Sequence, residues 1–99
     1  MFVLTVKMKV IKEKQAEFEK LLHDYALKIR NNEPDNIIYN WHRKLDNPSE
    51  LFFYEMYKDR TAWADMHMTK PYVKELGDIL PNYVEGDVEM LEYELAESV

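Results

Sequence analysis

Three side chains in this sequence change charge near neutral pH: His23, His42 and His67. His23 falls among charged neighbours in a helical pattern and reads as solvent-facing. His42 sits between Trp41 and Arg43 in a strand-like run, where packing against a cross-strand neighbour is the simpler role. His67 stands apart from both. It follows Trp63 by four residues, so the two share one helix face, and Tyr72 comes five residues later, just past Pro71. A histidine and a tyrosine brought together at a helix break over an aromatic sheet make a proton donor–acceptor pair. A blander role for His67 is to cap the broken helix through a backbone carbonyl.

Other chemistries find no residues to carry them. The chain has no Cys, which removes disulfides, thiol nucleophiles, iron–sulfur clusters and cysteine zinc sites. The histidines lack the i, i+4 or Glu-x-x-His spacing of a helical metal site, so no metal is expected. With 2 Gly in total there is no phosphate-cradling loop, and no Ser occupies a nucleophile elbow. No flavin, nicotinamide or other cofactor is called for. An aromatic-lined pocket carrying a few hydroxyl and imidazole groups is what the composition leaves.

Charge narrows the partners. Lys and Arg number 13 against 19 Asp and Glu, a net −6 with the signs interspersed. Nucleic acid and anionic membrane surfaces both require a basic patch, and none is visible. No apolar run approaches the roughly 20 residues that span a bilayer. The N-terminal Met1–Val10 run alternates where a signal peptide would be continuously apolar. The expected setting is soluble and cytoplasmic, with a small-molecule substrate.

The elements that must position His67 follow from periodicity. A chain of 99 residues makes one domain, 1–99. Phe2, Leu4, Val6, Met8 and Val10 alternate with polar residues as a strand with one buried face. From Lys14 to Asn31, apolar residues recur at three- and four-residue steps, which predicts a long amphipathic helix stopped by the Asn31–Asn36 turn run. Ile37–Leu45 and Leu51–Tyr57 predict a hairpin turning over Asp46–Ser49. Thr61 caps a helix through Met68, broken near Thr69–Lys70 and resumed after Pro71. Val84–Leu95 completes the sheet, with Gly86 marking a bulge.

The order βαββαβ implies an α+β, ferredoxin-like fold: an antiparallel four-stranded sheet with both helices on one face. Neither sheet face is plainly polar. A second copy is therefore expected on the helix-free face, as a two-fold homodimer.

Glu33-Pro34 ahead of a strand carrying Tyr39, then Tyr54-Glu55 with Tyr57, then the run from His67 to Tyr72, together resemble the antibiotic biosynthesis monooxygenase (ABM) domain family. That family's pattern runs Glu-Pro-Gly, Tyr, Tyr-Glu-x-Trp and His-x-x-x-Pro-His-Phe, at similar spacings over the whole chain. The resemblance implies a dimeric α/β barrel of ferredoxin-like subunits with sheets packed face to face. Three positions depart from the pattern. Asp35-Asn36 replaces the glycine, Tyr57 the Trp, and Tyr72 the second histidine. The last exchange matters chemically, because a phenol of pKa about 10 donates a hydrogen bond where a neutral imidazole accepts a proton.

The resemblance implies an oxidoreductase, a cofactor-independent monooxygenase acting on a quinol- or anthrone-like aromatic between sheet and helices. His67 would be the base or oxyanion partner and Tyr72 a hydrogen-bond donor. Trp63, Tyr54 and Trp41 would wall out water, with Tyr39 and Glu55 also at the substrate. Two alternatives stay open: an isomerase of a phosphorylated hydroxyketone, of the autoinducer-degrading kind, and a dimer that binds a small molecule without turnover. Glu55 has a plainer role too, pairing with Lys or Arg across the dimer. The haem-degrading members resemble this chain least, since the first strand lacks an Asn and His67 takes the place of their Trp.

Overall fold

The apolar alternation at the N-terminus forms the sheet's inner strand β1 (Phe2–Val10), and the computed structural model, which describes all 99 residues, builds outward from it. The main elements after it are α1 (Gln15–Asn32), β2 (Asn36–Lys44), β3 (Asn47–Tyr57), a π-helical turn (Ala62–His67), α2 (Pro71–Ile79) and β4 (Val84–Glu94), with short 3₁₀ turns at Lys12–Lys14 and Leu80–Asn82. The strands lie antiparallel in the order β2-β3-β1-β4, the ferredoxin-like arrangement.

Strand register fixes what each face of the sheet carries. One row reads Tyr39–Glu55–Leu4 across β2, β3 and β1, and the next reads Trp41–Phe53–Val6–Met90. These rows face the helices. The stripe Phe18, Leu22, Tyr25 and Ile29 of α1 is buried there, three or four residues apart as an apolar helix face requires. The alternate residues form the helix-free face, in rows Ile38–Met56–Val3–Tyr93 and Asn40–Tyr54–Thr5–Leu91.

The hairpin turns at Leu45–Asp46, with Lys44 paired to Asn47, and not over Asp46–Ser49. Asn47, Pro48 and Ser49 already belong to β3 because Pro48 stands at the start of the strand, where a missing N–H is tolerated. Gly86 lies in the β4 bulge opposite Lys7–Lys9 with φ of 68°, a conformation glycine adopts freely.

Thr61 does not supply the helix cap. The Ala62 N–H donates instead to Asp59 Oδ1 at 2.8 Å, so the cap comes from two residues earlier. The turn that follows is wider than an α-helix, with the Met68 N–H donating to Trp63 O at 3.0 Å, an i to i−5 bond. This turn buries Trp63 and His67 together. The Thr69 hydroxyl then takes up the Asp65 and Met66 carbonyls, and Pro71 opens α2 at its first turn.

Candidate active site

His67 is 3% exposed, and its ring nitrogens bond to side chains and not to a helix carbonyl. Nδ1 lies 2.9 and 3.1 Å from the two carboxylate oxygens of Glu33. Nε2 lies 3.2 Å from the Tyr25 hydroxyl. A carboxylate can only accept, so Nδ1–H donates to Glu33, and in the tautomer this selects Nε2 accepts from the Tyr25 hydroxyl. Carboxylate, imidazole and phenol thus form a chain, with the general acid–base logic of an oriented histidine.

Glu33 ends α1, its N–H bonded to Ile29 O at 2.9 Å, and Pro34 stops the helix there. Negative charge at a helix C-terminus is disfavoured by the macrodipole. What offsets this is the site itself. Tyr72 donates its hydroxyl to the second Glu33 oxygen, so that His67 and Tyr72 together satisfy a carboxylate that is 7% exposed. A second buried pair lies alongside, with the Tyr57 hydroxyl 2.6 Å from Glu55 Oε1. The Tyr57 ring stands 5.5 Å from that of His67.

Between the sheet and the helices is a cavity of about 220 Å³. Its walls are mostly apolar, with Leu4, Phe18, Phe53 and Leu76 among them. Tyr25, Tyr39, Glu55 and His67 supply the polar groups. Burial pushes the Tyr25 phenol above its ordinary value, helped by the negative charges of Glu55 and Glu33. Burial likewise raises the Glu55 carboxyl, against the lowering effect of the Tyr57 hydrogen bond. Tyr72 is raised by burial and by its bond to Glu33, which holds it as a donor.

The seven residues singled out in the sequence part company here. His67, Trp63, Tyr39 and Glu55 line the cavity. Tyr72 lies behind the Glu33–His67 pair, and its phenol is spent on Glu33. Trp41 is on the correct face but borders an outer groove between α1 and β2, with Nε1 donating to Glu19 at 3.0 Å. Tyr54 points to the opposite face, because it neighbours Glu55 in the strand and side chains alternate. Glu55 accepts the Tyr57 hydroxyl inside the subunit.

Spacing alone does not mark two members of the hydrogen-bonded chain, Tyr25 and Glu33, as site residues. Tyr25 occupies a stripe of core positions, indistinguishable by spacing from Leu22 and Ile29. Glu33 did leave a signal: an acid where a helix ends, at the position the dipole favours least.

A sequence profile of the antibiotic biosynthesis monooxygenase family matches residues 1–78. The chain belongs to that family. No curated protein matches the sequence. Among solved structures, a protein from Caulobacter crescentus CB15 grouped with the antibiotic biosynthesis monooxygenases shares 26% identity and a TM-score of 0.90, over 97% of this chain and 90% of its own. A conserved protein from Methanosarcina mazei Go1 is also 26% identical, with a TM-score of 0.82 over 93% and 89%. A third, from Deinococcus radiodurans, shares the fold at 23% identity and a TM-score of 0.88, over 100% and 96%. In this ABM domain no three His, Asp or Glu side chains converge as a metal site would require. No helix is long and apolar enough to cross a membrane.

Proposed function

We propose that this ABM domain is a cofactor-independent monooxygenase of a small quinol- or anthrone-like substrate. The observation that carries the reading is the buried Glu33–His67 pair set against an apolar cavity. An oriented imidazole in a dry pocket is a general base for an acidic phenol or ring methylene. The anion so formed passes one electron to O₂, and the radical and superoxide combine as a peroxide that takes the proton back. Loss of water then leaves a carbonyl, so one methylene and one dioxygen become one carbonyl and one water. The substrate supplies the electrons.

The size of the cavity narrows the substrate. At about 220 Å³ it falls below the roughly 300–1,000 Å³ of drug-sized sites, which favours a quinol of one or two rings over a three-ring anthrone. A phosphorylated hydroxyketone fits less well, since no Lys or Arg lines the cavity and a buried phosphate would lose its hydration uncompensated. The same reading includes a homodimer through the helix-free face, where Leu91 and Tyr93 are 43% and 49% exposed.

Oxygen uptake over a panel of mono- and bicyclic quinols and anthrones tests the proposal. His67→Gln should slow uptake by about 10²–10⁴-fold, the usual worth of a general base. Equal uptake by a folded His67→Gln variant, or turnover in which O₂ is not consumed, would overturn it.

A further inference from the structure

His67 has no nitrogen free for a ligand. Nδ1 is held by Glu33 at 2.9 Å and Nε2 by the Tyr25 hydroxyl at 3.2 Å. A molecule in the cavity can reach Nε2 only by displacing Tyr25 or by using it, and Tyr25 is itself part of the cavity wall.

We infer that Tyr25 is a catalytic residue, a proton relay whose hydroxyl takes the substrate's proton while passing its own to His67 Nε2. The inference rests on the base chemistry proposed above and names the group that touches substrate. In the step, the substrate's acidic bond to hydrogen breaks and a new O–H forms on Tyr25. The original Tyr25 O–H breaks as an N–H forms on Nε2. The products are the substrate anion and an imidazolium, whose charge faces the Glu33 carboxylate.

Three features fit a relay better than a structural phenol. The ring is fixed on two sides, 5.7 Å from Tyr39 and 5.8 Å from Tyr72, so displacement would disturb a packed aromatic cluster. The direction of the hydrogen bond is set from behind, because Glu33 holds the Nδ1 proton and leaves Nε2 as acceptor. Burial disfavours a free tyrosinate, so the two transfers are coupled and no full charge rests on the phenol. Glu33 and Tyr72 act as positioning residues in this scheme, since neither lines the cavity.

Proton abstraction can be read apart from oxygenation by following deuterium uptake from heavy water, without O₂, into the acidic ring methylene of a bicyclic ketone, the two-ring size the cavity favours. Tyr25→Phe should lower the maximal exchange rate by about 10²-fold, at the low end of the general acid–base range, with half-saturation little changed. The wild type should give a curved proton inventory and the variant a linear one. Should Tyr25→Phe fold poorly, a ring-fluorinated tyrosine at position 25 keeps the shape and changes the acidity. Under the relay the exchange rate shifts with it. Unchanged exchange in either variant overturns the relay and leaves the oxygenase reading intact. Wild-type exchange without aerobic O₂ uptake overturns the oxygenase reading and leaves the relay standing. A wild type that does neither overturns both.

Discussion

Glu33 and Glu55 are both buried carboxyls, yet their partners differ in kind. Glu33 accepts from an imidazole that can become a cation and from Tyr72. Glu55 accepts from the Tyr57 phenol at 2.6 Å. Burial therefore raises the Glu55 pKa above its ordinary 4.5. The folded chain keeps a proton on Glu55 at pH values where the unfolded chain has released it. The stability linked to this group is complete below about 4.5 and is lost as pH rises through the raised folded value. Compared with Glu55→Gln, the wild type should lose stability in urea titrations as pH rises from below 4.5 towards neutrality. Parallel pH profiles for the two proteins would contradict this account.

Among the elements, the π-helical turn bears directly on the site. Its extra width brings Trp63 and His67 to the cavity together, and its start is fixed by Asp59. Asp59→Ala should cost about 1 kcal/mol in chemical denaturation, the usual worth of a helix N-cap. Thr61→Ala should be near neutral, since the Thr61 side chain makes no cap bond. A larger loss at Thr61 than at Asp59 would mean the turn is anchored differently in solution. α1 contributes in another way, because one apolar stripe carries both the core residues Phe18 and Leu22 and Tyr25, whose hydroxyl meets His67.

At the scale of the whole molecule, the two faces of the sheet differ in what they carry. The helix side holds the cavity. The other side carries half-buried Tyr54 and exposed Leu91 and Tyr93, and runs to a polar end where Lys7 stands opposite Glu89 and Lys9 opposite Glu85 in the strand register. A patch of this kind is costly to leave in water. Sedimentation at micromolar concentration should give twice the mass of the chain, and Tyr54→Lys should shift it to the monomer. A stable wild-type monomer would rule the paired-sheet assembly out. In the proposed dimer Tyr54 would lie at the interface, on the sheet face opposite the cavity.

Much of the fold was legible in the residues because it depends on local pattern. The period-two alternation of β1, the three- and four-residue steps of α1 and the break at Pro71 determine the βαββαβ order, and His67 follows from its place at that break. The facing of Tyr39 and Trp41 away from Tyr54 depends on register, since a shift of one residue exchanges every side chain between faces. What only the tertiary structure decided is which polar atoms meet. Glu33 and His67 are separated by 34 residues, Tyr25 and His67 by 42. No local period encodes either contact. Packing the end of α1 against the π-helical turn removes water from these groups, and a buried donor or acceptor must then find its partner inside the protein. Tyr25 looks like core by its spacing, and its meaning comes from the imidazole that folding places beside it.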